Sequence, residues 1–390
     1  YRSIMRCNTL LNNIHKTPIS DGTKEQYVAE ARFLRAYYYY HMFRLYGGLP
    51  LLGEQVFTAF DYPEVPRSSV EDVVNYLVSE LSEAGRILPD DQTGLNYGRP
   101  TSGAALALKA KILFIAASPL YNGGNVGSGE NRLLVGYESF DMNRWQKAAD
   151  ALKVVIDLNK YELEVDNATR AGYGFYIATT TRVNKERIFG NLITSSGQFP
   201  DNYLLPKSRG GNAYQSPYQE LVDAFPMDNG KTIKDPTSGW SEKDPYKNRD
   251  PRFGYSILYD GSEWIMTKNG PKERVNFYKG ATNDGINNPA NGATITGYLL
   301  RKFCREENVK GAFKNDSGFP FLRYADILLM YAEALTELDV DANRTVIEDI
   351  LFKIRERAGI KAGSDNRYGI AINMNKQSMI DFIINERRIE

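Results

Sequence analysis

Residues 30–46 read EARFLRAYYYYHMFRLY, with four consecutive tyrosines from Tyr37 to Tyr40. A helix turns about 100° per residue, so four neighbours spread their rings over roughly 300° of its circumference. No solvated face of ordinary width is left. The flanks complete the helix: Tyr27, Leu34, Tyr37, Tyr38, His41, Met42 and Leu45 recur at helical spacing. Thr23 and Gln26 suit a capping box at its start, while Gly47, Gly48 and Pro50 stop it. The spacing predicts one helix over residues 24–46, about 35 Å long. Ala29, Ala31 and Ala36 leave room for close neighbours, so the rings read as gap fillers between packed helices and not as a binding surface.

Working outward, the same texture returns. A helix is expected after Ser68 or Ser69, with Val70, Val73, Val74, Leu77, Leu81 and Ala84 on one side. Ser102–Ala117 is alanine-rich and apolar nearly all round, which predicts burial. Residues 143–158 (NRWQKAADALKVVIDL), 321–339 (FLRYADILLMYAEALTELD), 344–360 (RTVIEDILFKIRERAGI) and 378–390 (SMIDFIINERRIE) continue the period. Paired helices with aromatic knobs and alanine holes follow the packing logic of tetratricopeptide repeats, with insertions interrupting the period. The fold class expected is mainly α, a tetratricopeptide-like helical scaffold carrying a loop-rich, partly β insert.

That insert begins near Lys160. Turn signals crowd residues 161–320, among them Asp228-Asn229-Gly230, Asp244-Pro245, Asp250-Pro251, Asp260-Gly261 and Asn269-Gly270-Pro271. Short strands are expected within 187–194 (RIFGNLIT), 254–259 (GYSILY) and 297–303 (GYLLRKF), and one short helix at Ser216 to Phe225. The expected organisation is a scaffold over 1–160, the insert over 161–320, and C-terminal helical pairs over 321–390 that pack back on the scaffold. A long irregular insert in a helical frame is a usual place for function. Five of its rings, Tyr203, Tyr214, Trp240, Tyr246 and Trp264, lie among turn and polar residues instead of on a periodic stripe. A flat apolar face beside hydrogen-bonding groups suits a sugar. The bland alternative for any one ring is a satellite cluster that pins a loop.

Other chemistries find little support. Lys plus Arg and Asp plus Glu number 48 each, which points to no polyanionic partner and argues against nucleic acid. Cys7 and Cys304 have no framework or knuckle spacing and read as two buried free thiols. Two histidines, His15 and His41, make a histidine site improbable. The loop GGNVGSGE (Gly123 to Glu130) lacks the Gly-Lys-Ser/Thr of a phosphate cradle, and no GxSxG elbow occurs. Asp244, Asp250 and Asp260 follow no calcium-loop pattern. No metal and no cofactor are expected, and most acids read as solvated helical faces.

Taken together, several blocks resemble one family. EARFLRAYYYYHMFRLYGGLPLL (30–52) looks like the signature helix and turn of the SusD/RagB family of outer-membrane nutrient-uptake lipoproteins. YRSIMRCNTLLNNI (1–14), RPTSGAALALKAKILFIAASPLYNGG (99–124), SPYQELVDAFPMDNGK (216–231), NRDPRFGYSI (248–257), FLRYADILLMYAEALTEL (321–338), IRERAGI (354–360) and INERRIE (384–390) are similar to further blocks, in family order. The resemblance implies four tetratricopeptide-like pairs and a variable ligand-binding part. It also implies capture of oligosaccharides without cleavage, and a TonB-dependent transporter of the SusC type over which the lipoprotein sits as a hinged lid. The same scaffold serves peptides or other nutrients in some systems, and a glycosidase is the third alternative. Family members carry an acylated N-terminal cysteine that anchors them at the extracellular face of the outer membrane. Both ends of the sequence fall inside helical patterns and read as cut, so the anchor is expected outside it; Cys7, inside the RCN block, is not the acylated residue. No binding motif transfers from the family, so the five rings rest on local texture.

Overall fold

The computed structural model describes residues 1–57, 61, 64–124, 127–192, 204–281, 284–286, 294–307, 309 and 318–390. They form two compact units, one made of residues 1–160 with 326–347 and the other of 161–325 with 348–390.

The first unit holds α1 (Arg2–Asn13), α2 (Asp21–Tyr46), α3 (Val70–Ile87), α4 (Ser102–Ala117), the single turn α5 (Arg132–Val135) and α6 (Met142–Asp157). Each long helix packs chiefly on the next in sequence: α1 on α2, α2 on α3, α3 on α4 and α4 on α6. Nearest-neighbour stacking of this kind is how helical repeats bury faces that no single pair could cover. Within the tyrosine run, Tyr37 and Tyr38 are half-buried, and Tyr38 lines a cavity of about 450 Å³ with Tyr27 and Arg99; the other two rings are architecture. Tyr39 and Tyr40 are buried with Phe33 and Phe43; the Tyr39 hydroxyl accepts the Leu52 N–H at 2.9 Å, and its ring meets Tyr76 edge-on at 5.6 Å. Burial pushes the Tyr39 phenol up to about 12. Arg35 runs through the same interior, pairing with Glu80 of α3 at 2.6 Å and donating to Asn8 of α1 at 2.8 Å. One guanidinium thus ties three helices.

The start of α2 departs from expectation. Ser20, not Thr23, is the N-cap, its side chain accepting the Thr23 N–H, and the helix begins at Asp21; Gln26 bonds Glu30 instead. The end is as expected: Gly47 has φ +72°, and a Cβ there would lie 2.7 Å from Leu134 O, while one on Gly48 would lie 2.2 Å from Ser68 O. Two side chains at those positions would lever α5 and the start of α3 away. Ser69 closes a full capping box with Asp72 on α3.

The second unit contains α7 (Tyr173–Thr180), α8 (Gln219–Ala224), α9 (Pro251–Ser256) and α11 (Lys376–Ile389). Among the described residues its strands form three antiparallel pairs: β1 (Arg187–Asn191) with β6 (Phe319–Arg323), β2 (Ile257–Leu258) with β5 (Leu299–Leu300), and β3 (Glu263–Ile265) with β4 (Lys272–Arg274). Asp250-Pro251, read as a turn, is the N-cap and first residue of α9. Helix α10 (Tyr324–Arg357) is kinked at Asp339, where the backbone leaves helical φ/ψ and the carboxylate accepts the Asp341 and Ala342 N–H groups as the cap of the second half. The break expected after residue 339 is therefore a kink with a cap and not a loop.

Beside two apolar clusters, one around Trp264 and Phe277 and one around Phe225 and Phe253, this unit buries a network of charges. Arg252 pairs with Asp250, Glu386 and Glu390. Arg355 pairs with Glu386 at 2.9 Å and Arg357 with Glu390 at 2.6 Å. Arg323 and Arg357 both reach Glu186, at 2.8 and 3.1 Å. All eight groups are buried, so Glu186, Asp250, Glu386 and Glu390 are exceptions to the solvated faces expected of most acids. Burial alone would raise the Glu386 carboxyl, but Arg252 and Arg355 hold it below the ordinary 4.5. A depressed carboxyl contributes stability that is present above the unfolded value and is lost as pH falls through the folded one. Glu386→Gln is expected to cost about 3–5 kcal/mol at neutral pH, the usual penalty for orphaning buried partners, and to flatten the acid limb below pH 4.5 in denaturant titrations; an unchanged acid limb would show that Glu386 is not ionised in the fold.

Candidate functional site

The five sequence-predicted rings have different fates. Tyr203 lies outside the described residues. Trp264, on β3, is only 2% exposed and sits in a core with Leu204, Leu258, Val275, Phe277 and Leu299. The Arg301 guanidinium covers its ring at 5.0 Å. Such a ring offers no face to a ligand, so the expectation for Trp264 gives way to a packing role. Tyr246 is half-buried, 4.2 Å from the Tyr259 ring and stacked on Phe253 at 6.0 Å. It pins its loop, as the satellite-cluster alternative supposed. Tyr214 and Trp240 stay outward, 64% and 36% exposed. Trp240 is carried on a loop closed by the Met227–Arg249 bridge and braced where Asn229 donates to Ser238 O at 3.0 Å.

A cleft of about 730 Å³ lies beside Tyr214 in sequence, lined by Pro217, Tyr218, Glu220, Leu221 and Arg388. Tyr218 is 72% exposed. The sequence pattern predicted a helix from Ser216; the helix begins at Gln219, leaving Tyr218 as its N-cap residue.

The cleft walls are held from behind. The Tyr298 hydroxyl donates to Gln219 Oε1 at 2.9 Å and lies 3.2 Å from the Tyr246 hydroxyl, so Tyr246 serves the cleft indirectly by bracing α8. Arg249 closes the other end of α8 through Val222 O at 2.5 Å and Phe225 O at 2.8 Å. Asn385 of α11 donates to Ala224 O at 3.0 Å, and Ile389 joins Val222, Phe225 and Phe253 in one apolar cluster. Arg388 therefore projects from a turn whose neighbours on both sides are fixed.

Chemically, the cleft sets an open aromatic face beside an exposed carboxylate and an exposed guanidinium. A few polar groups converging on an aromatic wall orient and discriminate a polar ligand with an apolar face. Among the described residues no group of three His, Cys, Asp or Glu is placed to hold a metal ion, and no helix is long and apolar enough to cross a membrane.

Comparison with known proteins adds the following. The family model described as SusD family matches residues 178–390, and one described as starch-binding associating with outer membrane matches residues 1–114. A SusD-like protein of Formosa agariphila, P38, is 24% identical over 406 residues, spanning 100% of this chain and 68% of its own length. A SusD-like protein of Bacteroides ovatus is 30% identical over 142 residues, 36% of this chain and 25% of its own. Among solved structures, a SusD-like protein from Bacteroides fragilis is similar with a TM-score of 0.76 at 25% identity, covering 99% of this chain and 70% of that one. A SusD-like carbohydrate binding protein from the same species has a TM-score of 0.75 at 23% identity, covering 99% and 68%, and shares the fold.

Removing a fully buried large aromatic costs about 3–5 kcal/mol. Trp264→Ala is accordingly expected to lower the melting temperature by several degrees or more in a calorimetric scan, whereas Trp240→Ala is expected to leave it within about 2 °C, as for other surface changes. Equal melting of the two variants would contradict the placement of Trp264.

Proposed function

Because the chain belongs to the SusD family, we propose that it captures oligosaccharides at the outer face of the outer membrane and passes them to a TonB-dependent transporter of the SusC type without cleaving them. The observation that carries this reading is the cleft in which Tyr218 stands exposed beside Glu220 and Arg388. The CH-rich face of a pyranose lies on the phenol ring, and the carboxylate and guanidinium take its hydroxyls as acceptor and donors. Tyr214 and Trp240 are further exposed rings of the same unit and extend the proposal to a longer ligand.

Binding without hydrolysis fits this lining. Glycoside cleavage uses a pair of carboxylates about 5–10 Å apart, and among the described residues the cleft is lined by one acid, Glu220. The expected affinity also suits a relay. A stacked ring contributes about 1 kcal/mol beyond burial, so one to three rings with a few hydrogen bonds give affinities of about millimolar to micromolar, weak enough for release. Attachment to the membrane through a lipid anchor, and docking on the transporter, complete the proposal; the family model described as starch-binding associating with outer membrane supports the location.

Native gels cast with starch, xylan, mannan, pectin, mucin glycans and chitin-type oligomers test it. Retardation in at least one gel is expected, reduced at least about fivefold in affinity by Tyr218→Ala, the loss of about one stacking contact, with unchanged melting. No retardation in any gel, together with binding to a peptide library, would replace glycan capture with peptide capture.

A further inference from the structure

Away from the cleft, four elements of the second unit bring cations and rings together. Arg170, just before α7, pairs with Glu306 at 2.9 Å. Arg301, following β5, reaches the same carboxylate at 2.8 Å, and Lys272 of β4 lies 3.6 Å from it. Three cations thus share one acid. Among these four groups, with the neighbouring, exposed Glu307 counted, cations outnumber acids, although the sequence as a whole carries equal numbers of acids and bases.

The guanidiniums are held in place. Arg170 lies 4.8 Å from the Tyr173 ring and 5.7 Å from the Tyr255 ring, and Arg301 lies 5.7 Å from Tyr255 and 5.0 Å from Trp264. The rings are fixed in turn: Tyr173 stacks on Tyr176 at 5.2 Å, the Tyr176 hydroxyl accepts the Glu306 N–H at 3.1 Å, and the Tyr255 hydroxyl donates to Ala171 O at 3.2 Å. Burial would raise the Glu306 carboxyl, but Arg170, Arg301 and Lys272 keep it below its ordinary range, so it stays a fixed anion that orients the cations without neutralising them all.

Donors remain. Among the described residues Arg170 bonds Glu306 through Nη1, with Nε and Nη2 open to another acceptor, and the 3.6 Å approach of Lys272 is an ion-pair distance longer than a hydrogen bond. Arg170 and Lys272 are about half exposed, whereas Arg301 is mostly covered. A guanidinium pre-positioned by rings loses little freedom on receiving a planar or tetrahedral oxyanion.

We propose that Arg170 and Lys272 form a subsite for an anionic group on a glycan, a uronate carboxylate or a sulfate ester, so that this chain selects acidic over neutral saccharides. The inference rests on the glycan-capture reading and names the class of glycan.

Titration calorimetry with oligogalacturonate, a sulfated galacto-oligosaccharide and an unsubstituted galacto-oligosaccharide tests it, at low and near-physiological salt. At least one anionic probe is expected to bind about tenfold or more tighter than the neutral one, the scale of one or two charge-assisted hydrogen bonds, with affinity falling as salt rises; whichever binds identifies the group. R170Q with K272Q is expected to remove that advantage and leave neutral binding and melting unchanged. R170K, which keeps charge but loses the planar fork, is expected to fall between. Should the double variant fold poorly, K272Q alone, on an exposed strand position, is expected to show a smaller loss in the same direction. Equal affinity for charged and neutral probes, or a double variant that binds the anionic probe as well as the parent, overturns the subsite and leaves glycan capture standing. No binding of any saccharide removes both.

Discussion

The second unit depends on one constraint, that four guanidiniums and four carboxylates buried together must all be placed at once. Arg252, Arg323, Arg355 and Arg357 meet Glu186, Asp250, Glu386 and Glu390. Taking each ion out of water costs several kcal/mol, which is offset only when its partners and hydrogen bonds are complete. A unit with short helices and two-to-five-residue strands has little regular structure to set its geometry. Here α9, the entry to β1, the end of β6, the last turn of α10 and α11 each supply a charge that only the others can satisfy. Lys302 shows the cost of sitting beside such a network: burial first, then Arg323, lower its ammonium to about 7, with Glu390 opposing.

The same network positions the cleft. Glu386 and Glu390 enter it from one side of α11, Ile389 turns into an apolar cluster, and Arg388 between them reaches the cleft. The binding groups proposed for sugar thus stand on a turn clamped by buried ion pairs, while Tyr218 stands on a helix braced through Gln219 and Arg249. Preorganisation of this kind limits the ordering cost of binding. The first unit is built differently, on rings between helices, with the Arg35–Glu80–Asn8 link as its buried polar pin.

Much of the helical frame was legible because periodicity reports burial directly. The aromatic helix, the alanine-rich Ser102–Ala117 and the strand at residues 187–191 stand where the pattern placed them. The start of α2 was misplaced because Ser20 and Thr23 are both competent caps, and local pattern does not choose between them. The candidate site was less legible, since an irregular segment has no period to say which ring faces inward. Trp264 and Tyr246 look alike in sequence to Trp240, yet a hairpin and a stacked cluster bury or half-bury them. Tyr218 was not among the rings singled out, and the helix drawn from Ser216 began three residues too early. The buried charges were the least legible: Glu386 and Arg355 occupy ordinary helical positions, and only contacts between segments far apart in sequence reveal that they face each other.

Hydrogen–deuterium exchange of the protein with and without the glycan that retards it most tests the central claim most directly. Slowed exchange concentrated at residues 217–222 and 385–390, with the scaffold at 1–160 unchanged, is the expected result. Protection confined to the scaffold, or none at saturating glycan, would contradict the placement of the sugar on the Tyr218–Arg388 cleft.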